Sequence, residues 1–320
     1  MRNLILKALQ HESHVSGEEL ARTLNVSRTA VWKQINRLRR QGYGIDSSPR
    51  RGYSFIKGTD LLLPEEIGNG LLTARFGRDI HYRTEVFSTQ DVAEDLAREG
   101  APEGTAVIAE TQTGGRGRRG RKWTSPTGSG IYLSLILRPV LSPVQAHQIP
   151  LLAGVAAGRA IRRNTPSEVK LKWPNDIVLN RKKAGGILTE LRCDTDNIDY
   201  LILGIGINVN TPRKLLPQPL AGDVTSIAEE CGEMVSRVKL VQALLAEFET
   251  LYTHYLVHGF DSIREQWKSL NNTIGSHVKV NTGNEEIEGL AQDIDKQGYL
   301  LVKKEGKGTQ RIISGDVFLT

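Results

Sequence analysis

The segment Gly114–Trp123 constrains the fold of this chain more than any other stretch of its sequence. Positions 116–122 hold five Lys/Arg and two glycines, and charges this dense repel one another, so the segment cannot belong to a packed core. Glycine permits a close backbone approach to a ligand, and arginine binds carboxylate and phosphate oxygens in pairs. We therefore predict a loop that folds over an anion. A solvated basic surface loop, or a segment that binds nucleic acid nonspecifically, is the alternative.

The neighbouring sequence places this segment between two strands. The runs 105–110 and 131–137 are largely apolar, as is typical of buried strands, while residues 124–130 contain a proline and two glycines. The segment matches Gly-x-Gly-x-x-Gly, but a dinucleotide fingerprint needs a helix directly after it. A protein kinase is also disfavoured, since neither Val-Ala-Ile-Lys nor a His-Arg-Asp catalytic loop follows.

The positive charge of the chain is concentrated at its amino-terminal end. Residues 1–60 hold 11 Lys/Arg and 5 Asp/Glu, a net of +6, which equals the formal net charge of all 320 residues. This asymmetry predicts that the amino-terminal segment meets a polyanion.

Composition also indicates the compartment. No apolar run approaches the roughly 20 residues that span a bilayer, and no signal peptide is recognisable at the start. Cys193 and Cys231 stand alone rather than in a Cys-x-x-Cys pair, which suits a reducing environment. A cytoplasmic protein without membrane contacts is expected.

The amino-terminal segment has the pattern of a winged helix-turn-helix. Apolar residues at helical spacing begin at Leu4, and Ser16 with Glu19 forms a capping box before a second helix. Ser27 is predicted to cap a third helix over 28–40.

Two short strands over 43–47 and 52–56 would complete this domain as a wing. In such domains the third helix enters the major groove, and the wing meets phosphate or the minor groove. The alternative is a winged helix that only dimerises or docks proteins. The residues predicted to contact DNA are Ser27, Arg28, Thr29, Lys33, Gln34, Arg37, Arg50 and Arg51.

In the central part, a strand over 77–86 leads to Ser88 and Thr89, either of which could cap a helix over 91–99. Free N–H groups at a helix start bind anions or amides, although an ordinary N-cap explains the same pattern. The Ala/Gly-rich segment 145–163 predicts a long helix that packs closely on a sheet.

Further motifs place polar side chains beside glycines. Lys172–Asp176 lies at a predicted strand–turn–strand junction. Lys183 precedes Gly185 and Gly186, which let a strand pass close to a ligand, and the glycines of Gly204–Asn208 allow the same.

One histidine pair offers weaker support for a site. His254 and His258 are four residues apart in a predicted helix over 237–257. No third metal ligand is evident, so surface or packing histidines are expected.

In combination, these motifs resemble those of the bifunctional biotin protein ligases that also act as biotin operon repressors. The resemblance covers nearly the whole chain. It rests on Ser88-Thr89, Gly115-Arg-Gly-Arg-Arg-Gly120 with Trp123, Lys172-Trp-Pro-Asn-Asp176, Lys183 before Gly-Gly-Ile-Leu188, and Gly204-x-Gly-x-Asn208. The chain departs from the family at its end, where an arginine often follows a Gly-Asp/Glu turn but Gly315-Asp316 leads to Thr320. This departure leaves the role of the tail in the site open.

The resemblance implies an α+β multidomain fold. Residues 1–62 would form the winged helix-turn-helix, 63–271 an α/β catalytic domain with a mixed sheet, and 272–320 a small β-barrel. The tail fits strands over 276–281, 286–294, 299–304 and 310–314.

The resemblance also implies a reaction in two steps that uses biotin, ATP and Mg²⁺. The biotin carboxylate attacks the α-phosphate of ATP, giving biotinyl-5′-AMP and pyrophosphate. A lysine of a biotin carboxyl carrier protein, as in acetyl-CoA carboxylase, then takes the biotinyl group. A homodimer carrying biotinyl-5′-AMP would bind operator DNA as a repressor.

Roles transfer to the matching positions, with Lys183, Arg116 and Arg118 as the catalytic group. The biotin contacts implied are Ser88, Thr89, Gln112, Gly115, Arg116, Arg118, Lys183, Gly185 and Gly186. The ATP contacts implied are Arg118, Arg119, Arg121, Trp123, Lys172, Asn175, Asp176, Lys183 and Asn208. Trp123 would stack on adenine, and Asp176 would hold Mg²⁺ through the nucleotide. The alternatives are a lipoate–protein ligase-like enzyme and a repressor that senses a small molecule without catalysis.

Overall fold

A computed structural model describes residues 1–11, 14–40, 43–49, 51–55, 60–194, 197–217, 224–306 and 308–319. The chain divides into two compact units, residues 1–66 and 67–320, which we call the amino-terminal and carboxy-terminal units.

The described residues of the amino-terminal unit form three helices and an antiparallel hairpin, as the sequence predicts, together with the start of a further short helix. Its principal elements are α1 (Arg2–His11), α2 (Gly17–Thr23), α3 (Arg28–Arg40), β1 (Ile45–Ser48) and β2 (Gly52–Phe55), followed by the short α4 (Pro64–Gly68), which crosses the unit boundary. The side chain of Ser16 accepts a hydrogen bond from the Glu19 N–H at 3.0 Å, and that of Ser27 accepts one from the Ala30 N–H at 3.1 Å. Both serines therefore cap the helices that their positions predict.

The hairpin is tied to the segment that precedes α2. Val15 and Tyr53 exchange two backbone hydrogen bonds of 2.8 Å. Gly52 has a φ of 86°, and a Cβ there would lie 2.3 Å from the Val15 carbonyl oxygen, so only glycine fits this crossing. The predicted positions Arg50 and Ile56 fall outside the described residues.

The carboxy-terminal unit is built on a seven-stranded mixed sheet. Its strands are β3 (Ile80–Val86), β4 (Ala106–Gln112), β5 (Gly130–Leu137), β6 (Val169–Lys172), β7 (Asp176–Leu179), β8 (Lys182–Asp194) and β9 (Asn197–Asn208), in the order β3-β4-β5-β9-β8-β7-β6. Only the β3–β4 pair is parallel among the described pairings. The predicted mixed sheet is confirmed.

Helices cover this sheet and bury its apolar residues. They are α5 (Thr89–Arg98), α6 (Ile149–Asn164), α7 (Ile227–Cys231), α8 (Arg237–His258) and α9 (Asp261–Leu270). Ala93 and Ala97 of α5 pack on Val107, Ile136 and Ile202 of three adjacent strands. The Ala/Gly-rich α6 packs on α8 and on β6, because its small residues allow close approach.

The end of the chain forms a second, antiparallel sheet. Its strands are β10 (His277–Asn281), β11 (Glu286–Ile294), β12 (Leu300–Lys304), β13 (Gly308–Ile312) and β14 (Asp316–Leu319), in the order β13-β12-β11-β10-β14. In the part of the chain that the structure describes, β13 and β14 do not pair. The predicted all-β tail is confirmed, but it is an open sheet rather than a closed barrel. The sequence analysis did not predict β14, and Thr320 lies outside the described residues.

No helix within the described ranges is long and apolar enough to cross a membrane. Cys193 and Cys231 are both free thiols.

Candidate active site

A cavity of about 240 Å³ lies between the large sheet, the start of α5 and the segment Gly114–Trp123, which we call the flap. Strands β8 and β9 bring Lys183 and Gly206 to the cavity, the β6–β7 turn brings Asn175, and Asp316 at the start of β14 also lines it. The site is therefore assembled from segments that are far apart in the sequence.

The flap is a closed loop between β4 and β5, as predicted. The Trp123 N–H donates to the Gly115 carbonyl at 2.8 Å, and the Gly117 N–H donates to the Arg121 carbonyl at 2.7 Å. A Cβ on Gly115 would lie 2.6 Å from the Trp123 carbonyl oxygen, so Gly115 is required for this closure. The paired ends leave the arginines at the tip to face the site and the carboxy-terminal sheet.

Three flap arginines contact the carboxy-terminal sheet. Arg118 donates to the Gly315 carbonyl at 3.2 Å and to the Ser314 hydroxyl at 2.9 Å. Arg119 donates to the Asn281 carbonyl at 2.9 Å, and Arg121 forms an ion pair with Asp316. Burial is the main cause that lowers the pKa of Arg118, and its cationic neighbours act in the same direction. Positive charge is thus concentrated where an anion could neutralise it.

Arg116 has different partners from the other flap arginines. Its guanidinium lies 2.5 Å from the Asp91 carboxylate on α5 and 3.2 Å from the Glu190 carboxylate on β8. Burial opposes the charged form, but the hydrogen bonds that Arg116 donates to these carboxylates raise its pKa overall. Arg116 lines the cavity while its charge is already paired.

Neutral polar groups meet at the start of α5. The Thr89 N–H and hydroxyl both donate to the Gln112 side-chain oxygen, at 2.9 and 3.1 Å. Ser134 donates to the Thr89 hydroxyl at 2.8 Å and to the Gln90 side-chain oxygen at 2.9 Å. Ser88 caps the helix, with its hydroxyl 3.2 Å from the Gln90 N–H. This network forms an uncharged polar wall that suits an amide-like ligand group.

Trp123 and Lys183 meet over the floor of the cavity. A Cβ on Gly206 would lie 2.6 Å from the indole of Trp123, so the ring rests directly on the strand backbone. The Lys183 ammonium lies 5.8 Å from the centre of this ring and 2.6 Å from the Asp176 carboxylate. The indole N–H of Trp123 is buried and has no hydrogen-bond partner within the described residues. The ring packs on the backbone of β9 at Gly206, and its stacking on adenine stays a prediction.

The remaining predicted nucleotide residues have distinct surroundings. Burial lowers the pKa of Lys172, whose ammonium lies 6.0 Å from the centre of the Phe318 ring. The Asn175 side chain donates to the Ile187 carbonyl at 2.7 Å, and the buried Asn208 side chain donates to the Thr225 carbonyl at 3.0 Å. Both asparagines hold neighbouring segments in place as well as lining the cavity.

Most of the predicted site residues lie at this one cavity. Those that line it are Ser88, Thr89, Gln112, Arg116, Arg118, Arg121, Trp123, Lys172, Asn175, Asp176, Lys183, Gly186 and Asn208. Gly115, Gly185 and Arg119 are not among its lining residues. A Cβ on Gly185 would lie 2.9 Å from the Gly206 carbonyl oxygen, so this glycine serves strand packing.

Sequence reasoning missed several residues that line the cavity. Gln90 and Tyr132 face it from α5 and β5, and Asp316 and Phe318 face it from β14. The adjacency of Gln90 to Ser88-Thr89 was a usable signal. Nothing local to Asp316 marks it, because its role depends on the docking of β14 beside the flap.

Five of the eight predicted DNA-contacting residues lie on α3, and four of them share one exposed side of the helix, which we call the stripe: Thr29, Lys33, Gln34 and Arg37. Arg28, Thr29, Lys33 and Arg37 are exposed and Gln34 is partly exposed, whereas Val31, Ile35 and Leu38 are buried. Ser27 serves as the helix cap, and Arg51 is exposed in the turn before β2.

The two histidines of the predicted pair lie on α8. The rings of His254 and His258 are 4.5 Å apart on α8. No cluster of three or more His, Cys, Asp or Glu that could hold a metal occurs within the described ranges.

Three segments of the chain match known protein families. Residues 83–208 match the biotin/lipoate A/B protein ligase family, 2–54 match a helix-turn-helix domain, and 273–320 match the biotin protein ligase C-terminal domain. The biotin protein ligase from Aquifex aeolicus in complex with biotin and ATP superposes with a TM-score of 0.65. The two sequences are 31% identical, and the superposed region covers 76% of this chain and 99% of the Aquifex aeolicus chain.

Curated relatives match along almost the whole length. The bifunctional ligase/repressor BirA of Bacillus spizizenii is 41% identical over 95% of this chain and 94% of its own. The bifunctional ligase/repressor BirA of Escherichia coli is 34% identical over 91% of this chain and 88% of its own length. The chain belongs to the biotin protein ligase family, among the members that join the ligase to a helix-turn-helix domain as bifunctional ligase/repressor proteins.

Proposed function

We propose that this protein activates biotin with ATP and transfers it to a lysine of a biotin carboxyl carrier protein. The observation that carries this proposal is the chemical asymmetry of the cavity. Part of the lining is an uncharged hydrogen-bonding network, and another part consists of cations from the flap and the sheet. A neutral head group and a nucleotide phosphate could therefore bind side by side.

The uncharged wall is assigned to biotin. The Thr89 hydroxyl and N–H, which donate to the Gln112 side chain in the structure, would exchange this partner for the ureido ring, with Ser88 beside them. Gly186, which lines the cavity, leaves room for the ligand chain. Gly115 and Gly185 would contribute through the backbone geometry they allow rather than by direct contact.

The cationic side is assigned to the nucleotide and the reacting carboxylate. Arg118, Arg121, Lys172 and Lys183 can neutralise charge that develops on the phosphoryl oxygens. Asn175, Asn208 and Trp123 would position the nucleotide. Arg119 points to the carboxy-terminal sheet, so its role toward ATP remains a prediction.

The chemistry needs both substrates to be held as anions side by side. A carboxylate oxygen of biotin attacks the α-phosphorus of ATP, the bond to pyrophosphate breaks, and a mixed anhydride forms. The lysine amine of the carrier then attacks the carbonyl carbon and releases AMP. Closure of the flap keeps water from the anhydride between the two steps.

A magnesium ion is proposed as part of the nucleotide substrate. Mg²⁺ is commonly held by one or two carboxylates together with phosphate oxygens. The acidic side chains along the described lining are Asp176 and Asp316, and each is paired with a cation. Asp176 fits a role beside Mg²⁺ once phosphate oxygens engage Lys183.

The amino-terminal unit is proposed to bind operator DNA through the exposed stripe of α3. The surplus of +6 in residues 1–60 favours a polyanion, and the buried face of α3 leaves the basic residues on its other faces accessible to a groove. We further propose three domains, residues 1–62, 63–271 and 272–320, and a homodimer that forms with biotinyl-5′-AMP and spans two half-sites.

The experiment that tests the ligase activity is a transfer assay. The full chain is incubated with ATP, biotin and a biotin carboxyl carrier domain, and the carrier mass is measured. The expected result is an increase of one biotinyl group that requires ATP and the carrier lysine. Transfer of lipoate instead would establish the lipoate-ligase alternative, and no transfer of either would favour a sensor without catalysis.

A truncation tests the repressor function separately. Deletion of residues 1–60 is expected to abolish binding to operator DNA while biotinyl-5′-AMP synthesis continues. A footprint by the truncated chain would contradict the assignment of the amino-terminal unit.

A further inference from the structure

We propose that Asp91 and Glu190 act as a carboxylate latch that holds the flap over the cavity through Arg116. The latch would be made of positioning residues, which act on the flap and not on the substrate. The inference rests on the proposed function only for its consequence, the retention of an acyl-adenylate. The ion pairs of the latch can be tested separately from the reaction.

The position of Arg116 makes it an effective point of attachment. It pairs with Lys122 across the neck of the flap, one residue beyond the hydrogen bond between Gly115 and Trp123. A tie at the neck fixes the orientation of the whole loop. Asp91 and Glu190 come from α5 and β8, so the attachment is to two separate elements of the rigid core.

The latch is connected to the uncharged wall of the cavity. The Gln90 side-chain amide donates to the Glu190 carboxylate at 3.0 Å, while its oxygen accepts from Ser134 at 2.9 Å. Ser134 in turn donates to Thr89 at 2.8 Å. Glu190 therefore lies at the junction between the flap and the side chains assigned to the biotin ring, so binding there could be sensed by the latch.

The exposure of the three side chains suits a latch that opens. Those of Arg116, Asp91 and Glu190 retain 32%, 40% and 39% of their accessible surface. Ion pairs with this much solvent access are individually weak. Two of them on one guanidinium bias the flap toward closure without locking it, as ligand entry and release require.

Limited proteolysis tests the latch directly, because the flap itself contains five trypsin sites. Cleavage within residues 116–122 is compared for Asp91→Asn, Glu190→Gln and the double variant in the full chain without ligand. We expect cleavage roughly three- to tenfold faster than in the parent, from the loss of one or two partly exposed ion pairs. Glu94→Gln is the matched control, since Glu94 lies on the same helix but pairs with Arg98.

A double-mutant comparison separates the latch from a general loosening of the fold. Arg116→Met leaves four cleavage sites in the flap, and it should make Asp91→Asn and Glu190→Gln nearly without further effect. Thermal unfolding of each variant should stay close to that of the parent. Additive effects of the substitutions, or flap cleavage no faster than in Glu94→Gln, would overturn the latch.

The functional consequence is measured as leakage of the intermediate. With biotin and ATP but no carrier, the double variant Asp91→Asn/Glu190→Gln should release and hydrolyse biotinyl-5′-AMP several times faster than the parent. Biotin-dependent pyrophosphate exchange should change less. If the flap of the double variant is cleaved faster but biotinyl-5′-AMP is released at the parental rate, the latch has no role in retaining the intermediate. If the parent makes no adenylate at all, the proposed function fails, and proteolysis still decides the latch.

Discussion

The ammonium of Lys183 lies 2.6 Å from the carboxylate of Asp176 on the adjacent strand, and the two face the cavity beneath the flap. The β7–β8 register shifts between Ile177 and Val178, so these two strands are not paired in regular register throughout. A cation paired with a carboxylate in this way is held in place and can exchange that partner for phosphate. The proposed chemistry depends on this exchange.

Substitution of Lys183 tests that dependence. We expect Lys183→Ala to lower biotin-dependent ATP–pyrophosphate exchange by at least about 100-fold, the usual effect of removing one group that stabilises developing charge. The fold should survive, because the side chain is about one-third exposed. Lys182→Ala is the control, since Lys182 instead pairs with Glu230 at 3.2 Å. Exchange at the parental rate in Lys183→Ala would remove this residue from the mechanism.

A substitution at Gly206 tests whether the position of Trp123 matters for ATP binding. A Cβ at residue 206 would lie 2.6 Å from the indole, so Gly206→Ala should displace Trp123 and weaken ATP binding about tenfold, the scale of a lost aromatic contact. Calorimetric titration and tryptophan fluorescence would measure the two effects. Gly154→Ala is the control, because its Cβ would meet its neighbours at no less than 3.5 Å. Equal affinities in both variants would show that the Trp123 position is irrelevant to the nucleotide.

The partly buried ammonium of Lys172 is expected to lower the stability of the fold and to strengthen ATP binding. Burial lowers the pKa of Lys172, so the unfolded chain binds the proton more tightly and the charged ammonium destabilises the fold at neutral pH. Lys172→Met should therefore raise the Tm of the carboxy-terminal unit by roughly 2–4 °C, equivalent to about 1 kcal/mol, while weakening ATP binding.

The sign of this effect can be checked with pH. As pH rises through the folded pKa of Lys172 toward its ordinary unfolded value of about 10.4, the parent loses the penalty and its stability approaches that of Lys172→Met. Denaturant titrations at several pH values would measure the difference. A gap that widened with pH would contradict the explanation.

A substitution in the stripe on α3 is expected to affect DNA binding without affecting adenylate synthesis. The operator DNA is first selected from a random-sequence library with the parent protein. Arg37→Ala should weaken binding to this DNA by about tenfold or more. It should leave adenylate synthesis unchanged, because Arg37 belongs to the amino-terminal unit. Arg98→Ala removes the same charge from an exposed site in the other unit and is the control. Equal loss in both variants would indicate a net-charge effect and not a contact by α3.

Local physical chemistry made much of this protein predictable. The serine caps at Ser16, Ser27 and Ser88 follow from hydrogen bonds that close within three residues, and each was found where the sequence placed it. The flap was recognisable because five cations in seven positions are not expected in a packed core. The motifs around Lys183 and Asn175 indicated the family before any distance was known.

The tertiary structure decided which groups these cations meet. Arg116 pairs with residues 25 and 74 positions away, and Arg118 bonds to Ser314, 196 positions away. No sequence period reports such contacts, since they arise only when α5, β8 and β14 pack around one loop. The last strand was missed, and the barrel expected to close is an open sheet, for the same reason. Strand pairing is settled by distant neighbours, whereas caps and charge density are settled within a few residues.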